Sequence, residues 1–194
     1  MPGVASLRST SRRSFGLLLL AASTTAFMEP ACAQIESRAA EYHIKAAFLC
    51  KFGNYIEWPA QALGERDSPF VIGVVAGDEV AAEIARTATN VLVHGRRIVV
   101  RRMQNAEPLA GVHLLFVARS AEGQLDDWLA ADRGQPTLIV TESSRGPLPG
   151  GSINFVVVDD RVRFDVALPT ERAGLRISSD LLGVARTVVG RNAS

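Results

Sequence analysis

The side chains able to do chemistry are few and scattered along this chain. Three histidines, His43, His94 and His113, do not form a recognisable metal set, and neither Cys-x-x-Cys nor His-Glu-x-x-His spacing occurs. Metal binding is therefore not expected. His113 lies inside an apolar run and reads as a structural histidine, while His94, beside Gly95, reads as a turn residue. A nucleophilic Cys50 would need a nearby base to hold it as thiolate. The nearest histidine on the same helix, His43, is about two turns and roughly 10 Å away along the axis, too far for a hydrogen bond. Cys50 thus reads as a small buried side chain. None of Ser143, Ser144, Ser152, Ser178 or Ser179 has the Gly-x-Ser-x-Gly setting of a nucleophile elbow. Gly73 and Gly77 end an apolar run but match neither phosphate-loop nor dinucleotide spacing, which leaves close packing and a turn as their roles. Asp159-Asp160, adjacent in sequence, suit a hairpin tip better than paired acid–base work. No catalytic residue and no cofactor is expected.

The amino terminus carries a different signal. Ser11-Arg12-Arg13-Ser14-Phe15 precedes an apolar run through Ala22, and Ala31-Cys32-Ala33 places small residues two apart before Gln34. A basic start, a short apolar stretch and an Ala-x-Ala-like site make an export leader over residues 1–33, with Arg12 and Arg13 as its basic end and Ala31 and Ala33 at the cleavage site. The paired arginines fit either a twin-arginine signal or an ordinary secretory leader. Glu29-Pro30-Ala31 lacks the apolar residue that a lipoprotein site at Cys32 would need, so cleavage after Ala33 is expected. The product would be periplasmic and soluble, since no later apolar stretch approaches the roughly 20 residues of a membrane span.

Cleavage would leave residues 34–194, the size of one ordinary domain. The leader holds Arg8, Arg12, Arg13 and Glu29, so its removal takes the formal net charge from +1 to −1. A near-neutral domain with only Arg96-Arg97 and Arg101-Arg102 as basic pairs lacks the positive face that nucleic acid requires. Cys50 would be the one cysteine left, so no internal disulfide is possible.

The elements that must position any site follow from periodicity. Ala40, Ile44, Ala47, Phe48, Phe52, Tyr55 and Ile56 recur at three and four, predicting a helix over 36–57 that Trp58-Pro59 ends. Phe70-Val71-Ile72-Gly73-Val74-Val75-Ala76 predicts a strand buried on both faces, followed by a helix capped by Asp78 and carrying Val80, Ala81, Ile84 and Ala85. Strands are predicted at 97–101, 112–118 and 136–141, with a second crossover helix from Ser120 to Gly134. This order argues for a mostly parallel sheet covered by helices, a three-layer α/β sandwich. After Gly146-Pro147-Leu148-Pro149-Gly150-Gly151, alternation on either side of Asp159-Asp160 predicts an antiparallel β-hairpin that finishes the sheet. A helical turn is expected from Pro169-Thr170-Glu171. Ser178-Ser179-Asp180 caps a final helix with Leu181, Leu182, Val184, Ala185 and Val188, and residues 190–194 look loose.

Two segments have a distinctive order: Ile44-Lys45-Ala46-Ala47-Phe48-Leu49-Cys50-Lys51-Phe52 running to Tyr55-Ile56-Glu57-Trp58-Pro59, and Gly150-Gly151-Ser152-Ile153-Asn154-Phe155 running to Gly174-Leu175-Arg176-Ile177-Ser178-Ser179-Asp180-Leu181-Leu182. Together they resemble the YfiR-like family of bacterial periplasmic proteins, and the resemblance extends from about Tyr42 to Ala185. It implies a non-enzymatic regulator that binds the sensory domain of an inner-membrane protein, in the best-known case repressing a diguanylate cyclase and lowering cyclic di-GMP. A sensor kinase or an outer-membrane receptor is an alternative partner. Relatives often carry a cysteine directly before the histidine of the third strand, where this chain has Val112, so the disulfide switch proposed for some of them cannot operate within one chain. The end of the first helix, with Phe52, Tyr55 and Trp58, is the candidate for dimer or partner contact, because aromatic residues are enriched at interfaces. A small-molecule binding module is the rival reading, with its ligand beyond the carboxyl ends of the strands at 76–78 and 118–120.

Overall fold

The structure is a computed structural model that describes residues 29–132, 134–168 and 174–190, with side chains from Gln34 onward. Residues 1–28 of the expected leader (1–33), the helical turn at 169–171 and residues 191–194 of the end expected to be loose lie outside the described residues; the backbone of 29–33 forms the first turn of a helix, and Gly190 closes a strand.

That helix, α1 (Glu29–Phe52), ends earlier than its periodicity suggests. The chain passes through a 3-10 turn at Gly53–Tyr55 and becomes a short strand, β1 (Ile56–Glu57). Gly53 explains the early stop. A Cβ there would lie 2.6 Å from Val93 Cγ1 and 2.8 Å from Phe70 Cζ, so only glycine lets the helix end seat on the sheet. The predicted helical residues Ile56 and Glu57 instead pair antiparallel with β9 (Arg176–Ile177).

The main sheet has eight strands: β2 (Phe70–Val75), β3 (Leu92–Val93), β4 (Arg96–Arg102), β5 (Leu114–Val117), β6 (Leu138–Thr141), β7 (Ile153–Val158), β8 (Arg161–Leu168) and β10 (Thr187–Gly190), in the order β10-β8-β7-β6-β5-β2-β4-β3. Strands β4, β2, β5, β6 and β7 are parallel, and β7–β8 is the expected antiparallel hairpin, register Phe155 to Phe164. Asp159 and Asp160 both adopt left-handed φ, 49° and 55°, as a two-residue turn demands. The architecture is the expected three-layer α/β arrangement.

Alternation along the central strands sorts the core into two layers. Phe70, Ile72, Val74, Leu114, Phe116, Leu138 and Val140 face α1 and α2 (Asp78–Ala88). Val75, Leu115, Val117 and Ile139 face α3 (Leu125–Asp132) and the connection bearing Met103, Leu109 and Val112. Gly73 belongs to the second face, where a Cβ would meet Leu115, Met103 and Val112, each at 3.1 Å; its role is close packing. Under α1, Phe52 stacks on Phe155 at 5.6 Å and meets Phe164 edge-on at 5.2 Å.

Three local expectations are corrected. The residue at the α2 N-cap is Gly77, and no side chain caps the helix; Asp78 is its first residue and pairs with Arg102 of β4. The segment from Arg119 to Gln124 is a 3-10 helix that precedes α3. The last helix, α4 (Ser179–Val184), is capped by Ser178, whose hydroxyl accepts from the Leu181 N–H, but it stops before Val188. Val188 sits in β10, parallel to β8, because Arg186 grips the buried Asp165 carboxylate through Nε at 2.7 Å and through Nη2, and its N–H donates to Phe164 O at 2.8 Å.

His113 closes the amino-terminal edge of the sheet. Its Nδ1 accepts from the Val71 N–H at 3.0 Å, which leaves Nε2 as the protonated nitrogen donating to Ala62 O at 3.0 Å. Burial pushes its pKa below the ordinary value of 6.5, and the Arg96 charge works in the same direction against the Ala62 carbonyl. Below about pH 6.5 the unfolded chain takes up a proton that folded His113 resists, so the unfolded state binds more protons. Stability is complete above that pH and falls as pH drops toward the folded pKa. Urea midpoints at about pH 7.5 and about pH 5.5 should show this loss in the wild type and a smaller one in His113→Gln; equal losses would clear His113 of the effect.

Candidate partner surface and polar cleft

The aromatic residues expected at an interface divide sharply in their exposure. Phe52 is 1% exposed and wholly committed to the core, a correction to its expected surface role. An aromatic ring on the inner stripe of a helix that covers a sheet goes to the phenylalanine cluster, and periodicity alone does not say which ring that is. Trp58 is half-buried; its Nε1 donates to Gly53 O at 2.9 Å, and its ring meets Phe70 edge-on at 5.4 Å. It locks the end of α1. Tyr55 is 40% exposed.

Helix α1 also offers surface that periodicity did not single out. Residues 34–40 are all exposed, so its first described turns project past the sheet. Ile35 and Ala39 continue the stripe of Tyr42, Ala46 and Leu49, and Ile35 is 68% exposed because nothing among the described residues lies beneath it. Ile44, farther back on α1, is 43% exposed. Cys50 is fully buried, and burial pushes its thiol up to about 11. It stays protonated and enclosed, unsuited to bridging a second chain.

A buried polar network lies where α1 crosses the carboxyl ends of β5 and β6. Lys45, on the inner face of α1, is 1% exposed, and Nζ lies 2.9 Å from Oε1 of Glu142, itself 3% exposed and directly after β6. Lys45 also pairs with Glu41, one turn earlier. Tyr42 Oη donates to Glu142 Oε2 at 3.1 Å. Burial first, then the Glu142 charge, pushes the Tyr42 phenol up to about 12. Arg119 Nη2 approaches Glu142 Oε1 at 3.5 Å from the solvent side. A lysine interrupting an apolar helical face is a readable sign that a buried carboxylate must answer it, but the sequence does not say which.

A cleft of about 810 Å³ opens above this network, and its lining includes Arg38, Tyr42, Arg119, Ser120 and Glu142. The chain enters the sheet at β2, moves outward to β4, and returns past β2 to β5, so strand order reverses beside β2. Of the two edges expected to hold a ligand, 118–120 supplies two cleft residues, Arg119 and Ser120; the Asp78 carboxylate is taken by Arg102. Among the described residues no three His, Cys, Asp or Glu side chains converge as a metal site would require. No described helix is long and apolar enough to cross a membrane.

Compared with known proteins, the chain matches the YfiR/HmsC-like family over residues 42–186. This span takes in α1 from Tyr42 onward, every strand of the main sheet except β10, and α4. No curated protein matches the chain.

Proposed function

Because this chain belongs to the YfiR/HmsC-like family, we propose that it is a periplasmic, non-enzymatic regulator that binds the sensory domain of an inner-membrane diguanylate cyclase and holds cyclic di-GMP down. The observation that carries this reading is the extent of the match, which contains both distinctive segments, from Ile44 to Pro59 and from Gly150 to Leu182. In this reading the uncovered turns of α1 and the exposed Tyr55 are the contact face, and the Arg12-Arg13 and Ala31-Cys32-Ala33 pattern of an export leader supports a periplasmic location. Regulation then works by population shift. The protein favours the inactive form of the cyclase only as far as it binds that form more tightly than the active one.

Cells lacking the gene should contain more cyclic di-GMP, and the exported protein, but not a version without residues 1–33, should restore the level. An unchanged level would remove the cyclase as the partner. At the contact face, Tyr55→Asp should leave stability within about 0.5 kcal/mol of wild type, as surface changes do. It should weaken binding to the partner's periplasmic domain by about tenfold or more, the effect of losing an aromatic anchor. Equal affinity would move the contact away from the end of α1.

A further inference from the structure

The cleft above Glu142 is built from charges that its own floor does not consume. Lys45 is taken up by Glu41 and Glu142, and Glu142 is further held by Tyr42, so both carboxylates are already answered. The two arginines of the walls are held less tightly, Arg38 by the Tyr42 side chain and Arg119 at long range by Glu142. Arg119 is 54% exposed, and its 3.5 Å approach to Glu142 is too long for a strong hydrogen bond. Arg38, also exposed, rests its guanidinium 5.8 Å from the centre of the Tyr42 ring. The lining carries Arg38 and Arg119 against Glu41 and Glu142, and both carboxylates are also answered from beneath by the buried Lys45. The cleft has the volume of a small-ligand site, and it stands at the carboxyl ends of β5 and β6 beside the strand-order reversal, where open α/β sheets receive ligands.

We propose that this cleft binds a small organic anion, whose carboxylate or phosphate group is taken by Arg38 and Arg119 with Ser120 as a further hydrogen-bonding group. Guanidinium groups suit either anion because their paired N–H donors match two oxygens at once. The buried network beneath would act as a rigid floor: with Glu142 anchored by Lys45 and Tyr42, Arg119 is free to turn toward a ligand without leaving a buried carboxylate unanswered. The site goes beyond the regulatory reading and needs no partner protein.

The test is a titration of the purified protein with succinate and with inorganic phosphate, each against sodium chloride at matched ionic strength, followed by calorimetry and by the shift in thermal midpoint. Saturable binding of one or both probes, weakened about tenfold or more in Arg119→Gln and in Arg38→Gln, is the expected result. Arg163→Gln, an exposed change on the hairpin, should bind as wild type does. A response to succinate alone assigns the site to carboxylates, and a response to phosphate alone assigns it to phosphate esters. A response no larger than that to chloride, or equal weakening in all three variants, would overturn the proposal. Because no partner is present in the titration, its failure leaves the regulatory reading standing, and its success does not depend on that reading.

Discussion

Lys45→Met should destabilise the protein by about 3–5 kcal/mol, because it removes the ammonium that answers a carboxylate buried to 3% exposure while leaving that carboxylate in place. The longer-range Arg119 can recover part of the loss by turning inward, which places the expected value toward the lower end. Lys45→Met combined with Glu142→Leu should be more stable than Lys45→Met alone, since the uncompensated charge is then gone and two apolar side chains fill the space. Urea unfolding of the two single variants and the double variant gives the coupling directly. A single variant within about 0.5 kcal/mol of wild type would mean that the pair lies open to water and that the floor of the cleft is not rigid.

The second large effect is expected at Phe52. Phe52→Ala should cost about 3–5 kcal/mol, the usual range for emptying a buried aromatic site. The ring packs against three others, with centroids 5.9 Å from Phe48, 5.6 Å from Phe155 and 5.2 Å from Phe164, so its loss opens a cavity where α1 seats on the hairpin end of the sheet. Phe52→Leu keeps much of the volume and should cost clearly less. Its affinity for a partner should match wild type, whereas Tyr55→Asp should show the opposite pattern, lost affinity with stability kept. A Phe52→Leu variant that folds normally yet fails to bind would return this position to the interface.

The contrast between these two aromatic residues shows what the sequence makes legible. Period three-to-four spacing identifies α1, but the stripe it defines is wider than the surface actually covered, so Phe52 and Tyr55 look alike until the hairpin beneath is in place. The central strands are readable because β2, β5 and β6 are continuous apolar runs buried on both faces, and no competing periodicity intrudes. The hairpin is readable from Asp159-Asp160, a pair that tolerates the left-handed φ a two-residue turn imposes.

Elements fixed by distant partners are not readable in the same way. Strands β1 and β9 are two residues each and exist because Ile56 pairs with Ile177. Val188 lies four positions after Val184 and so continues a helical pattern, yet Arg186 finds Asp165 and turns the chain into β10. Tyr42 and Glu142 are separated by 100 positions, and only the crossing of α1 over the strand ends brings them together. The cleft is partly legible for the opposite reason: the run of strands and helices locates the carboxyl-end edge at 118–120, while the strand-order reversal needs the sheet itself, and Arg38 and Glu142 come from segments with no local sign of a shared site.

The regulatory account stands or falls on physical contact with a membrane protein. The most direct measurement is photo-crosslinking in living cells from a reactive residue placed at Tyr55 or Ile44, both exposed. The account predicts a covalent adduct with an inner-membrane protein carrying a cyclase output, formed from these positions and absent from a control placed at the exposed Val157 of the hairpin. Folded, exported protein that yields no membrane adduct from either position would contradict it.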